Sequence, residues 1–307
     1  MSDAPRKSRL IAWLELCRIS NLPTVWTNVL TGCAISWGFG WHAVYRDGST
    51  FVPEYQWKNA AILGAALSLF YIAGMALNDV ADAAIDQKER PGRPIPSGRV
   101  SRTAALNFIV TCFATGLLIL WWHQPASMGY ALLLLVMILA YDFTHKAFPA
   151  SVLFMGACRS LVILAAATGA SSSQFNRVAL PLAAIMGVYI VAITIIARGE
   201  TENRIDQRKW LSVVMPIMLL AMFAIIRPTD WKAPALAAFI LSLWLAQPVR
   251  FVFSQPPQTI KAILTWLSGI CLIDAYILTL LGALPLALLA CACFILTAWG
   301  HRKILGT

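Results

Sequence analysis

Charge is scarce in this chain. Only 12% of its 307 residues are Asp, Glu, Lys or Arg, while 59% are hydrophobic. A soluble domain carries about 25% charged residues. That shortage excludes a soluble globular protein and points to an integral membrane protein. The net charge of +10 would suit nucleic acid or acidic lipid. The basic residues are nevertheless scattered through short loops between apolar segments, so the single basic face that a nucleic-acid binder needs is missing. Cysteine and histidine show no metal-ligand spacing together. Cys17, Cys33, Cys112, Cys158, Cys271, Cys291 and Cys293 fall mostly inside apolar stretches and read as small buried hydrophobes. No small-residue cleavage signature follows the first apolar segment, which therefore reads as a span and not a removable signal. Nor does a pair of Gly/Pro-broken segments repeat along the chain, which argues against an inverted-repeat transporter.

What the chain has in abundance is long apolar runs. They fall near residues 22–41, 58–77, 103–122, 127–142, 150–169, 178–197, 211–226, 233–252, 260–282 and 284–300. Each is long enough, or nearly so, to cross roughly 30 Å of hydrocarbon as a helix. The expected fold is all-α, a polytopic transmembrane helical bundle forming one domain over residues 1–307. Residues 1–18 would be a cytoplasmic segment, and 78–102 and 198–210 cytoplasmic loops. With the N-terminus inside, eighteen Lys and Arg fall in inner loops and five in outer ones, a strong positive-inside bias. Both termini are therefore expected in the cytoplasm, with the protein in the cell's inner or plasma membrane.

The most informative stretch is YIAGMALNDVADAAIDQKERPGRPIPSGRVSR, from Tyr71 to Arg102. If its helix continues past the apolar part, Asn78, Asp82 and Asp86 follow at i, i+4, i+8, with Asp79 close by on the same side. Massed carboxylates repel one another unless cations lie between them. Oxygen ligands suit a hard divalent ion, and Mg²⁺ characteristically joins one or two carboxylates to substrate phosphates. Lys88, Arg90, Arg93, Arg99 and Arg102 follow, fixed positive charge that can hold phosphate oxygens. A helix cap would call for one acid rather than four.

NDxxDxxxD followed by RPIPSGR (Arg93 to Arg99) closely resembles the first aspartate-rich motif of the UbiA superfamily of intramembrane prenyltransferases. The resemblance implies a nine-helix core around a lipid-accessible central cavity, so this chain shows one apolar segment more. Its last two segments, split at Gly282 to Pro285, are either an added span or one broken helix. The activity implied is Mg²⁺-dependent transfer of an isoprenoid chain from a prenyl diphosphate to an aromatic or other lipophilic acceptor. Metal ligation is implied for Asn78, Asp82, Asp86, Glu202 and Asp206, and catalytic roles for Asp79, Asp82 and Asp86. Diphosphate binding is implied for Arg18, Asn21, Lys88, Arg90, Arg93, Tyr141, Lys146 and Arg198.

Several of these positions carry a second reading. Glu202 and Asp206 match the spacing of the family's second acidic motif but not its usual composition. They serve either as ligands or as part of a salt-bridged loop with Arg198, Arg204 and Arg208. Arg18 is either a cavity residue or a positive-inside anchor, and Asp142 and Lys146 could form a local i, i+4 ion pair. His145 is expected to face water or headgroups. Arg159, within a span, should face the bundle interior, because an unpaired cation in hydrocarbon costs at least about 2.5 kcal/mol; Asp274 is a candidate partner. Either Asp79 or Asp86 would accept the acceptor's proton. Two rival functions remain: a divergent isoprenoid-binding protein without transfer activity, such as the UbiA-like proteins of Ebo gene clusters, and a membrane transporter.

Overall fold

The structure, a computed structural model, describes residues 9–39, 54–169, 175–201, 209–215, 218–226, 228 and 230–303. Among these residues there is no strand. The helices are α1 (Arg9–Leu16), α2 (Leu22–Ser36), α3 (Trp57–Glu89), α4 (Arg102–His123), α5 (Met128–Thr144) and α6 (Val152–Ala166). They continue as α7 (Leu180–Thr201), α8 (Leu211–Val214), α9 (Met218–Ile226), α10 (Lys232–Phe253), α11 (Thr259–Leu280) and α12 (Leu284–Lys303). Eight of the helical segments are long and apolar enough to cross a membrane. The first apolar segment is shorter than expected, since α2 has 15 residues. The seventh is divided between α8 and α9, with residues 216 and 217 outside the described set.

Successive helices run up and down, and side-chain contacts fix which ends meet. Arg18 beside Asp79 brings the start of α2 to the end of α3, and Asn78 bonded to Asp142 adds the end of α5. Arg198 bonded to the Pro149 carbonyl joins the end of α7 to the entry of α6, and His301 against Asn21 adds the end of α12. Arg99 paired with Glu15 ties the turn before α4 to α1. Both described ends of the chain thus lie on the face that carries the acids.

Helix α3 positions the site by its length. Its 33 residues extend about 50 Å at 1.5 Å per residue, well beyond a hydrocarbon core of about 30 Å. The apolar part ends at Leu77, and the next three turns carry the acids out of the membrane. The chain then passes through a series of turns to Ser101, whose side chain accepts a hydrogen bond from the Ala104 amide and caps α4.

Burial divides the bundle. Helix α2 packs against α3, α6, α11 and α12, so almost none of its surface meets lipid. That setting lets Thr24, Thr27, Asn28 and Thr31 lie fully buried within a span. Helices α4, α5 and α10 instead turn broad apolar sides outward. Trp121 and Trp122 are exposed at the end of α4, where indoles suit a membrane–water boundary.

Two glycine contacts set helix spacing. A Cβ on Gly156 of α6 would lie 2.6 Å from the Gly187 carbonyl of α7, and one on Gly32 of α2 would lie 2.5 Å from the Ile163 carbonyl. Backbones approach there as small residues permit in membranes. At the far end of α11, Gly282 takes φ +79° and α12 folds back against α11 and α2. The last two segments are therefore two helices in a hairpin rather than one broken helix.

Candidate active site

A cavity of about 280 Å³ opens between α2, α3, α5, α6, α7 and α11. Its walls are mainly apolar, with Val25, Leu67, Phe70, Ile138, Ile190 and Leu267 among them. Arg18, Asn21, Tyr71, Tyr141, Asp142 and Arg159 supply its polar lining.

Arg18 reaches the cavity because its backbone lies in the left-handed region, φ 44° and ψ 48°, immediately before the turn into α2. That conformation costs a non-glycine residue about 1–2 kcal/mol. The contacts that hold it are on α3: Nη2 lies 3.2 Å from Asp79 Oδ1 and 3.3 Å from Asn78 Oδ1. The Arg18 carbonyl also accepts a hydrogen bond from the Tyr71 hydroxyl at 3.3 Å. Arg18 therefore acts as a cavity residue rather than a loose anchor. Asn21 lines the same cavity and is buried, with its Oδ1 against His301 Nε2.

Helix α3 remains continuous through the acids, as their spacing suggested, yet the acids do not form one set. Asp79 and Asp86 face basic side chains: Arg93 Nη1 bridges them, 3.5 Å from Asp79 and 2.6 Å from Asp86. Asn78 and Asp82 face the end of α5. Asn78 donates to Asp142 Oδ1 at 3.1 Å, and Asp82 Oδ1 lies 2.6 Å from Lys146 Nζ and 3.3 Å from His145 Nε2.

These contacts revise two local readings. Lys146 pairs across helices with Asp82 instead of with Asp142 one turn back. His145 does not face water or headgroups; its ring stacks on Tyr141 at 5.1 Å with its Nε2 toward Asp82. The hydrogen bond and charge of Asp82 raise the His145 pKa above its ordinary value, while burial opposes the rise.

Lys88 and Arg90 were also expected at the diphosphate. They lie exposed on the outer side and form no ion pair with the acids among the described residues. Arg198 donates to the Pro149 carbonyl at 2.9 Å and to Ser151 Oγ at 2.8 Å, and it also bonds Tyr141 at the cavity mouth. Glu202 and Asp206 lie outside the described residues.

The donor set can be tested for a metal ion. Asn78 and Asp82 offer hard oxygen donors one turn apart while Asp86 is turned toward Arg93, and among the described residues no three acidic or histidine side chains converge. That partial set fits Mg²⁺, which keeps several waters and takes one or two carboxylates together with phosphate oxygens.

Arg159 faces the interior as expected, but its link to Asp274 is indirect. Nη1 donates to Asn28 Oδ1 at 3.0 Å and Nη2 to Thr24 Oγ1 at 3.2 Å, while Asn28 Nδ2 donates to Asp274 Oδ2 at 2.6 Å. Thr31 Oγ1 completes the network by donating to Asp274 Oδ1 at 2.9 Å. Sequence reasoning missed Thr24, Asn28 and Thr31. Their spacing of i, i+4, i+7 within an apolar span was the available signal.

A family model described as the UbiA prenyltransferase family matches residues 33–270. The chain belongs to the UbiA prenyltransferase family. Over 143 residues it is 35% identical to a digeranylgeranylglyceryl phosphate synthase of Methanoregula boonei, a match covering 45% of this chain and 50% of that protein. Over 138 residues it is 31% identical to the protein of that name from Methanosarcina barkeri, covering 45% of this chain and 47% of the other. The chain spans about half the length of the curated relatives it matches.

Solved structures share the UbiA fold. A chain from work on digeranylgeranylglyceryl phosphate synthase in membranes matches with TM-score 0.60 at 17% identity, over 90% of this chain and 99% of its own. A UbiA homolog from Archaeoglobus fulgidus bound to GPP and Mg²⁺ matches with TM-score 0.52 at 14% identity, over 88% and 99%. At these identities the likeness is one of fold. The residues matched to the UbiA family begin after Asn21 and stop before Asp274 and α12, so α12 and its contact with Asn21 lie outside them.

Proposed function

We propose that this UbiA-family protein is an Mg²⁺-dependent intramembrane prenyltransferase, a single domain with its acid-bearing face in the cytoplasm. It moves an isoprenoid chain from a prenyl diphosphate to a lipophilic acceptor. The observation that carries this reading is the convergence of Arg18, Asn78, Asp82, Tyr141 and Lys146 over an apolar cavity that runs into the bundle. The prenyl tail fits that cavity, where each buried CH₂ contributes about 0.8 kcal/mol. Arg18, Lys146 and Arg93 hold the diphosphate at the mouth, exchanging their present carboxylate partners for phosphate oxygens.

Asn78, Asp82 and Asp86 would hold Mg²⁺, with Glu202 and Asp206 as the second pair; when bound, the ion supplies charge that eases diphosphate departure. As the allylic C–O bond breaks, the electron pair leaves with diphosphate. Tyr71 and Tyr141 line the cavity, and their rings would stabilise the resulting cation, while the apolar walls keep water from it. The acceptor then forms the new bond to the allylic carbon and gives up a proton. Asp142 is the better proton acceptor than Asp79 or Asp86, because it lines the cavity and its Oδ2 has no hydrogen-bond partner among the described residues. The names of the relatives favour a glycerophosphate-type acceptor over an aromatic one.

The test is product formation by purified protein in lipid nanodiscs with Mg²⁺ and geranylgeranyl diphosphate. The acceptors would be geranylgeranylglyceryl phosphate and 4-hydroxybenzoate. A prenylated product that disappears in Asp82→Asn supports the reading. Binding of prenyl diphosphate without product from either acceptor would favour the non-transferring, isoprenoid-binding alternative, and absence of binding would overturn both.

A further inference from the structure

The cavity contains one charge that the diphosphate machinery does not use. Arg159 lies about two helical turns into α6 from Val152, away from the mouth, and lines the cavity. Its protein partners are neutral: the Asn28 amide oxygen and the Thr24 hydroxyl. No carboxylate ion-pairs with it among the described residues. A guanidinium has five N–H donors, so donors remain for a ligand.

The network behind Arg159 aims it. Asp274, fully buried, accepts from Asn28 Nδ2 and Thr31 Oγ1. The Asn28 amide is thereby fixed with its nitrogen toward the carboxylate and its oxygen toward the guanidinium. Asp274 orients Arg159 through Asn28 without occupying its face.

Such a charge is a liability for the chemistry proposed above. An allylic cation in the same low-dielectric cavity is repelled by a guanidinium unless an anion screens it. The acceptor must enter that space to react. We infer that Arg159 is the specificity-determining anchor for an anionic group, a carboxylate or phosphate, carried by the acceptor. This inference rests on the prenyl-transfer reading. The anchored anion offsets the arginine charge and directs the acceptor's nucleophilic atom toward the mouth.

The experiment measures binding to the full-length protein in nanodiscs with Mg²⁺. Two probe pairs are compared: geranylgeranylglyceryl phosphate with geranylgeranylglycerol, and 4-hydroxybenzoate with 4-hydroxybenzyl alcohol. In wild-type protein at least one anionic probe should bind about tenfold tighter than its neutral counterpart, as expected for a charge-assisted contact. Arg159→Gln should abolish that preference and Arg159→Lys restore part of it, while affinity for the neutral probe and for geranyl diphosphate is retained. Equal binding within both pairs in wild-type protein, or a preference that survives Arg159→Gln, overturns the inference. So does loss of neutral probe and geranyl diphosphate together in Arg159→Gln without rescue by lysine, which assigns the residue a purely structural role. A wild-type protein that fails to bind geranyl diphosphate overturns the prenyl-transfer reading and, with it, the role of acceptor anchor, even where an anion is bound.

Discussion

The cations at the cavity mouth and the cation inside it are held in opposite ways. At the mouth, Arg18, Arg93 and Lys146 touch carboxylates of α3 directly. Inside, Arg159 meets only neutral oxygens among the described residues, and its nearest carboxylate in the network is reached through an amide. Direct pairs near the surface can trade partners when a polyanion and a metal arrive. A charge held by buried dipoles of one other helix, α2, stays where it is placed. On the proposed function, the mouth is thus suited to exchange and the interior to fixed orientation.

The largest effect expected of any change at the mouth is on turnover. Asp82→Asn should lower the transfer rate at least about 100-fold, as removal of a group supporting charge development does. A steady-state assay with saturating prenyl diphosphate checks it, and a loss below tenfold would place Asp82 outside the exchanging set.

Inside the bundle the effect should appear in stability. Asp274→Ala takes the carboxylate out of the buried network, so the orientation that Asn28 relays to Arg159 is lost, and should cost about 3–5 kcal/mol. Replacing Arg159 and Asp274 together by apolar residues should recover most of that, read as thermal unfolding in detergent. A double variant as unstable as Asp274→Ala would erase the distinction drawn between the two regions.

Smaller again is the wall behind the network. Gly156→Ala puts a methyl 2.6 Å from the Gly187 carbonyl and should destabilise by about 1–3 kcal/mol. Gly64→Ala, in open space on α3, should not.

The smallest effect is pH-dependent. The His145 pKa is raised by Asp82, so the contribution of that contact is complete below the unfolded-state value of about 6.5 and is lost as pH rises through the higher folded value. Wild type should exceed His145→Gln by under about 1 kcal/mol in acid, with the gap closing at alkaline pH. Melting curves of the two proteins from pH 5.5 to 8.5 would show whether the gap instead widens.

Local chemistry was legible in the sequence, and long-range geometry was not. Ten apolar segments announced helices because length and composition are sufficient for that. The i, i+4, i+8 spacing of Asn78, Asp82 and Asp86 announced a helix that outlasts its apolar part. That same spacing did not show that Asp79 and Asp86 turn toward Arg93 while Asn78 and Asp82 turn toward α5. The division depends on where α5 ends and how the turns after α3 fold back. The alternative pairing of Lys146 with Asp142 and the placing of His145 toward water or headgroups failed for the same reason, since Asp82 is remote in the chain. Arg159 was found by the cost of a lone charge in hydrocarbon, but its connection through Asn28 depends on α2 being enclosed by its neighbours.

The contact between His301 and Asn21 ties the last described turn of the chain to a residue of the cavity rim. Any segment joined directly after α12 is therefore coupled mechanically to the rim of the cavity.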